Sequence, residues 1–150
     1  MDIPEDVLAL LRAPSTCYLA TTMPDGSPQL TQVWVDTDGE HVVINTVAGF
    51  QKLRNVARDP RVAVAVSDPA NPSAYVQIRG EVVETTTDGA REHIVPTRTA
   101  VTPLRVAPEP AGVGPELSQK YLGRPYPGFG GNSMERVIVR IAPRRISGQR

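Results

Sequence analysis

Apolar residues recur at helical spacing in two short stretches of the first half of the chain. Residues 3–12 place apolar side chains at this spacing after an early proline, which predicts a short amphipathic helix. Residues 50–58 repeat the spacing, and Asp59-Pro60 follows at a point where a helix is expected to end. The second helix is predicted to expose a polar, basic face.

Much of the remaining chain alternates between polar and apolar residues, as strands with one buried face do. Turn pairs such as Asp25-Gly26 and Asp38-Gly39 separate the early strands, which indicates consecutive hairpins and antiparallel pairing. Residues 68–73 are predicted to form a loop, and Gly80 marks a bend or bulge. The strands are predicted at 16–23, 28–38, 41–47, 61–68, 74–87 and 135–146.

These elements predict an α+β fold, an antiparallel barrel of six strands with short flanking helices. A third helix is expected after Asp88, which is a candidate N-cap. Residues 95–115 break the pattern with five prolines and no aromatic residue, which indicates an extended surface insertion. Helical character resumes at residues 116–122, and a Gly/Pro-rich loop follows. At 150 residues the chain is predicted to be one domain over 1–150.

Composition bounds the environment of the protein. The chain has one cysteine, Cys17, so it has no partner for an intrachain disulfide, which suits a reducing cytoplasm. No apolar window is long enough to span a membrane, and the N-terminus is acidic where a signal peptide is basic. The sequence therefore predicts a soluble, cytoplasmic protein without a membrane partner.

Charge is balanced overall but unevenly distributed. The net charge is zero, and residues 1–40 hold seven acids against Arg12 alone. The opposite sign dominates in residues 50–61, where Lys52 and three arginines accompany Asp59. A neutral protein with one local basic patch suits a small anionic ligand better than a nucleic acid.

Familiar catalytic motifs are absent from the sequence. The chain has no GxSxG elbow, P-loop or GxGxxG fingerprint. His41 and His93 stand in unlike contexts, and with a single cysteine they make no credible metal cluster. Hydrolase, P-loop and metal chemistry are therefore not predicted, and no catalytic residue is identified.

The strand-loop-helix stretch from Val43 to Arg58 is the first candidate site. It combines strand-end polar residues, a flexible Ala48-Gly49 turn, free N–H groups at a helix start and two cations, which together suit phosphate. An ordinary solvated basic helix face is an equally good interpretation of these residues alone. The candidate residues are Asn45, Thr46, Lys52 and Arg54.

Two further strands carry candidate ligand-binding residues. Tyr75, Gln77 and Arg79 share one face of a strand, where Arg79 either meets a ligand anion or pairs with an acid across the barrel. Gln32 and Trp34 either line a planar ring or pack on the sheet. Three aromatic residues are either a lid over a pocket or loop anchors: Tyr121, Tyr126 and Phe129.

The order of several segments resembles the pyridoxamine-phosphate-oxidase-like split-barrel family. The segments are YLATTMPDGSPQ at 18–29, WVD at 34–36, TVAGFQKLRNVARDPRVA at 46–63 and VQIRGEV at 76–82. More narrowly, they resemble the branch that uses the deazaflavin coenzyme F420, and KYLGRPYPGF at 120–129 is similar to the tail of that branch. No single motif is diagnostic; the shared order and spacing carry the resemblance.

The resemblance implies a homodimer of six-stranded split barrels with two equivalent sites in grooves between the subunits. By position, Lys52 matches the family's phosphate-binding lysine, with Asn45, Thr46, Gln51 and Arg54 around it. The strand from Gln29 to Val33 would lie along the cofactor ring, and Gln77 and Arg79 would come from the barrel across the interface. The ring-facing candidates are Gln29, Thr31, Gln32 and Val33.

The resemblance implies an F420-dependent oxidoreductase that transfers hydride from reduced deazaflavin to a small unsaturated or electron-poor substrate. The cofactor does the difficult step, which explains the missing catalytic set. Family members that use flavin mononucleotide (FMN) usually carry arginines just before the lysine, where Phe50 and Gln51 stand here, and this departure favours F420. An FMN-dependent oxidoreductase and a non-catalytic cofactor carrier remain the alternatives.

Overall fold

The computed structural model describes residues 1–94, 121 and 135–149. The predicted insertion at 95–115 lies outside these residues. The helices are α1 (Glu5–Arg12), α2 (Gln51–Arg58) and α3 (Ala90–Ile94). The strands are β1 (Thr16–Thr22), β2 (Pro28–Val33), β3 (Val35–Thr37), β4 (Val42–Val47), β5 (Arg61–Asp68), β6 (Asn71–Thr86) and β7 (Arg136–Gln149).

The described strands form one antiparallel sheet in the order β2-β1-β5-β6-β7-β4-β3. β2 and β3 lie at its two opposite edges, yet Trp34 alone connects them in the chain. The sheet must therefore curl until its edges meet, which gives a split barrel. The predicted fold class, an antiparallel split barrel with short helices, is confirmed.

One predicted strand, 28–38, is divided in the structure. Its first half pairs with β1 and its second half pairs with β4, so the chain changes partners at Trp34. The described residues consequently contain seven strand segments, where the alternation of polar and apolar residues predicted six. Alternation reports which side chains are buried, and it carries no information on which strand lies alongside.

The predicted loop at 68–73 is shorter in the structure, because β6 begins at Asn71. The Oδ1 atom of Asp68 accepts the Ala70 N–H at 2.8 Å, so an aspartate turn replaces most of the loop. The bulge expected at Gly80 is confirmed by a shift of register between Arg79 and Gly80. A Cβ atom at Gly80 would collide with a backbone carbonyl of β7, so this position needs glycine.

The core fills the barrel and is closed at one end by α1. The buried face of α1 consists of Val7, Leu8 and Leu11, which join the main cluster of buried residues. α3 packs on the outside of the barrel, where Ala90 contacts the second cluster with Val43 and Ile138. α3 thus contacts β4 and β7 from the outside, whereas α2 contacts β1 and contributes Val56 to the main core.

Among the described residues, no helix is long and apolar enough to cross a bilayer. Cys17 is buried within β1 and forms no disulfide within the described residues. The predicted cytoplasmic location stays a prediction.

Candidate cofactor-binding site

Lys52 lies in the first turn of α2, directly after the connection from β4. Gly49 makes this connection possible with a φ of 87°, a conformation that side-chain-bearing residues rarely adopt. The Lys52 ammonium is half-buried, lies 5.6 Å from the centroid of the Phe50 ring and has no acidic partner among the described residues. Burial, and then the nearby charge of Arg136, lower the pKa of Lys52. A half-buried cation beside a second cation is a favourable place for an anion.

Arg54 is held by the protein. Its Nη1 atom donates to the Gly49 carbonyl at 2.5 Å, and its Nη2 atom donates to Gln51 Oε1 at 2.5 Å. The side chain is exposed and closes the turn onto the helix. Arg54 therefore has its donors partly engaged, whereas the ammonium of Lys52 has no hydrogen-bond acceptor within the described chain.

The other two arginines of the basic segment also contact protein groups. Arg58 donates to the Thr22 carbonyl, and Arg61 pairs with Asp59 at 2.6 Å. The hydrogen bonds from Arg61 hold the pKa of Asp59 down at about 2, so this carboxylate is charged at neutral pH. Of the four cations in the basic segment at residues 50–61, Lys52 is therefore the one best placed to bind a ligand.

Asn55 was not identified from the sequence, and it organises the neighbourhood of Lys52. Its side chain is fully buried, and Nδ2 donates to Thr21 Oγ1 at 2.9 Å and Gln29 Oε1 at 3.2 Å. Its Oδ1 atom accepts from Gln51 Nε2 at 2.8 Å. Asn55 therefore ties α2 to the first hairpin and brings two predicted site residues, Gln29 and Gln51, into one cluster. The available signal was an asparagine next to Val56 on the apolar side of the helix.

The predicted residues of β2 divide between two faces of the sheet. Gln29, Thr31 and Val33 pair with inward-facing residues of β1 and so face the barrel interior, whereas Gln32 is exposed on the outer face. The Thr31 hydroxyl is buried and has no hydrogen-bond partner within the described residues. A buried hydroxyl of this kind usually has a partner, so Thr31 suits a polar atom of a bound cofactor ring.

Asn45 and Thr46 also face opposite sides, because they are neighbours on β4. Thr46 is buried in the barrel, opposite Val137. Asn45 lies under α3, where its Nδ2 atom donates to the Ala90 carbonyl at 2.7 Å and lies 3.3 Å from His93 Nδ1. Its Oδ1 atom accepts from Arg136 Nε at 2.9 Å. The Asn45 amide is therefore engaged within the protein, although its use by a ligand stays a prediction.

His93 connects Asn45 to the buried carboxylate of Asp36. Its Nε2 atom lies 3.1 Å from Asp36 Oδ2, and both side chains are wholly buried. Asp36 Oδ1 accepts the N–H of Thr37 at 2.9 Å. We call Asp36, His93, Asn45 and Arg136 the buried relay. Sequence reasoning missed it because its members come from β3, α3, β4 and β7, which are far apart in the chain.

Gln77 and Arg79 lie on the exposed outer face of the sheet. Gln77 donates to Ser147 Oγ at 3.3 Å, and Arg79 is directly opposite Arg145 on β7. Arg136 lies at the other end of β7, about 30 Å away along an extended strand. Within one chain the structure therefore does not bring Arg79 to the Lys52 site, and its predicted role from across an interface stays a prediction.

Trp34 stacks on Tyr121 with ring centroids 5.2 Å apart and ring planes at 7°. The Tyr121 hydroxyl accepts the Val35 N–H at 3.1 Å and donates to the Val35 carbonyl at 3.4 Å. Burial raises the pKa of Tyr121 far above its usual range. Tyr121 was predicted to be either part of a lid over a pocket or a loop anchor, and its contacts with Trp34 and Val35 are those of an anchor. Tyr126 and Phe129 lie outside the described residues.

An open groove of ≈ 680 Å³ lies between α2 and the second half of β6. Its walls include Leu53 and Val56 from α2 and Val82 and Val137 from the sheet. The volume is typical of small-molecule sites, but Lys52 and the β2 residues are not among its lining. The groove is thus lined by residues that follow Lys52 on α2, and the Lys52 side chain is not part of its wall.

A curled antiparallel sheet of this topology is a split barrel, a fold whose family binds flavin or deazaflavin cofactors. The sequence profile of the pyridoxamine 5'-phosphate oxidase family matches residues 3–112, more than two thirds of the chain. The protein is a member of this family. Members of the family are often oxidoreductases.

Solved structures extend this relationship over nearly the whole chain. An F420 reductase is 29% identical, with 97% of this chain and 98% of that chain covered and a TM-score of 0.70. A conserved hypothetical protein from Mycobacterium tuberculosis is 27% identical, with 98% and 84% covered and a TM-score of 0.67. General stress protein 26 from Bacillus anthracis shares the fold at 15% identity, with 97% and 92% covered and a TM-score of 0.61. Among curated proteins, none matches the sequence significantly.

Proposed function

We propose that the protein is an oxidoreductase that uses coenzyme F420 and binds the cofactor phosphate at Lys52. The observation that carries this proposal is the half-buried Lys52 ammonium, which lies near Arg136 without an acidic partner in the described chain. A bound phosphate would supply the missing negative charge. The likeness to an F420 reductase over nearly the full length supports the choice of cofactor.

The protein's own task in this reaction is binding and orientation. When bound, the deazaflavin would supply the hydride for the substrate, and solvent would supply the accompanying proton. Lys52 holds the phosphate, while Gln29 and Thr31 on the inner face of β2 offer polar contacts to the ring. Tyr121 is not the proton donor, because its hydroxyl is bonded to Val35 and its raised pKa makes proton loss unfavourable.

The residues before Lys52 support F420 over FMN. Phe50 contributes no charge, and the Gln51 side-chain amide is hydrogen-bonded to Asn55 and Arg54. The phosphodiester of F420 carries one negative charge, whereas the terminal phosphate of FMN carries nearly two at neutral pH. Because positions 50 and 51 add no cation next to Lys52, the site fits the singly charged phosphodiester better than the doubly charged phosphate.

The purified protein should oxidise reduced F420 in the presence of electron-poor alkenes or similar acceptors. We expect the protein to be colourless as isolated and the F420 oxidation to depend on the acceptor, followed by absorption in an anaerobic assay. A yellow protein with flavin absorption would instead support the FMN-dependent alternative. Tight F420 binding with no oxidation across a broad acceptor panel would support the carrier.

We propose that a second copy of the chain covers the outer face of β2, β1 and β5. Leu30 and Tyr18 are 66% and 41% exposed there, and the small side chains of Ala63 and Ala65 leave this face flat. On the same outer side, Arg79 has no acidic partner among the described residues and faces Arg145 directly, an unfavourable pairing of like charges.

Sedimentation velocity should show a dimer, and Leu30→Asp should convert it to a monomer. The new carboxylate would be buried without a partner in an apolar contact, which is costly. Val83→Asp is the matched control, since Val83 is 52% exposed but lies outside this face. A wild-type protein that sediments as a monomer at all concentrations would contradict the proposal.

A further inference from the structure

The buried relay has matched donors and acceptors from one end to the other. Asn45 Nδ2 donates one hydrogen to the Ala90 carbonyl and directs the other at His93 Nδ1, which must accept. His93 then carries its proton on Nε2 and donates it to Asp36. The Asn45 Oδ1 atom is left to accept from Arg136 Nε. A flipped Asn45 amide would point N–H groups at the guanidinium, so the relay fixes the orientation of this side chain.

Burying a carboxylate and a histidine together costs desolvation energy that an apolar pair would not cost. The Asp36 and His93 side chains are nevertheless wholly buried, and neither touches solvent. Their combined effect is to hold Asn45, and through it the guanidinium of Arg136, in one orientation. The placement of Arg136 is therefore the specific structural result of this costly arrangement.

Arg136 is placed beside the connection that leads into α2. It is opposite Val47 in the pairing of β4 with β7, and the adjacent Glu135 carbonyl accepts the Ala48 N–H at 2.9 Å. Lys52 follows in the first turn of the helix. With Nε bonded to Asn45, the planar guanidinium has a defined orientation next to the Lys52 site.

We propose that Arg136 is a second phosphate-binding cation and that His93 and Asp36 are its positioning residues, acting through Asn45. This inference rests on the proposed binding of a cofactor phosphate at Lys52. Lys52 and Arg136 bind the same phosphate, one from α2 and one from β7. The relay keeps the guanidinium oriented before the ligand arrives, so that little ordering is needed on binding.

The test compares two probes, F420 and the deazaflavin riboside that lacks the phosphate-containing side chain. Their dissociation constants are measured by fluorescence titration. The dissociation constant of the riboside divided by that of F420 reports the contribution of the phosphate-containing side chain alone. His93→Asn and Asn45→Ala are each expected to lower this ratio by about three- to ten-fold while the riboside affinity is unchanged. Asn45→Ala is the second variant because His93→Asn removes the histidine that contacts the buried Asp36 and is expected to lower stability. His41→Asn is the matched control, since His41 pairs with Asp38 at the surface.

A positioning role is separated from a merely structural one in the background of Arg136→Ala. If His93 and Asn45 act through the guanidinium, their substitution causes no further loss in the ratio once Arg136 is alanine. The same loss in both backgrounds, or no loss in either, overturns the inference.

Lys52→Ala tests the underlying phosphate site separately. If Lys52→Ala lowers the ratio and the relay variants have no effect, only this inference is overturned. If Lys52→Ala leaves the ratio unchanged, both this inference and the proposed phosphate site are overturned.

Discussion

Lys52→Ala is expected to weaken F420 binding by about 1 to 3 kcal/mol, the range for losing a hydrogen bond to a charged group. The physical reason is that the ammonium is half-buried and already lies near Arg136, so its charge has no acidic partner in the described chain until an anion binds. Fluorescence titration of the variant and the wild type measures the difference directly. An unchanged dissociation constant would exclude Lys52 from the phosphate site.

Arg54→Ala is the matched control for this substitution. Arg54 lies two residues away on the same helix but is exposed and donates to Gly49 and Gln51. We expect its loss to change the affinity by less than about 0.5 kcal/mol, as for other exposed side chains away from a site. A loss as large as that for Lys52 would show that the whole basic helix face, rather than one lysine, attracts the ligand.

The lowered pKa of Lys52 adds a readout that depends on pH. Burial and the neighbouring charge of Arg136 favour the neutral amine, so Lys52 loses its proton at a lower pH than an exposed lysine does. Phosphate binds the charged form, and the wild-type affinity should therefore fall as pH rises through this lowered pKa. The fall should be absent in Lys52→Ala.

His93→Leu is expected to lower the free energy of unfolding by about 3 to 5 kcal/mol, because it leaves the buried Asp36 carboxylate without its partner. The two side chains are wholly buried, so water cannot replace the lost contact. Urea denaturation followed by circular dichroism measures the change. A variant within about 1 kcal/mol of the wild type would contradict a stabilising role for this buried pair.

Two controls separate the loss of the hydrogen bond to Asp36 from the loss of packing. Combining His93→Leu with Asp36→Asn removes the isolated charge and should recover part of the stability. His41→Leu breaks a pair that is partly exposed, with 27% of the His41 side chain accessible, and should cost far less.

The sequence predicted the elements of this fold well, because burial patterns of single strands and helices are local. α1, α2 and most strands begin and end within a few residues of the predicted bounds, and the bulge at Gly80 lies where a glycine interrupts a strand. The change of partner at Trp34 was not predictable in the same way. It depends on which strands meet when the sheet closes, and this is a property of the whole barrel.

The candidate site was predicted in part for a similar reason. Lys52 stands out locally, as a cation at a helix start after a glycine turn. Asn55 and the buried relay do not, since their roles come from partners that are 26 to 91 residues away in the chain. The sequence identified His93 only as a residue unsuited to a metal cluster, and nothing local connects it with Asp36 or Arg136.

The most direct test of cofactor choice is a side-by-side fluorescence titration of the purified protein with F420 and FMN. We predict saturable binding of F420 with an affinity at least about ten-fold higher than that for FMN, a difference of about 1.4 kcal/mol. Preferential binding of FMN, or no binding of F420, would contradict the proposed F420-dependent function.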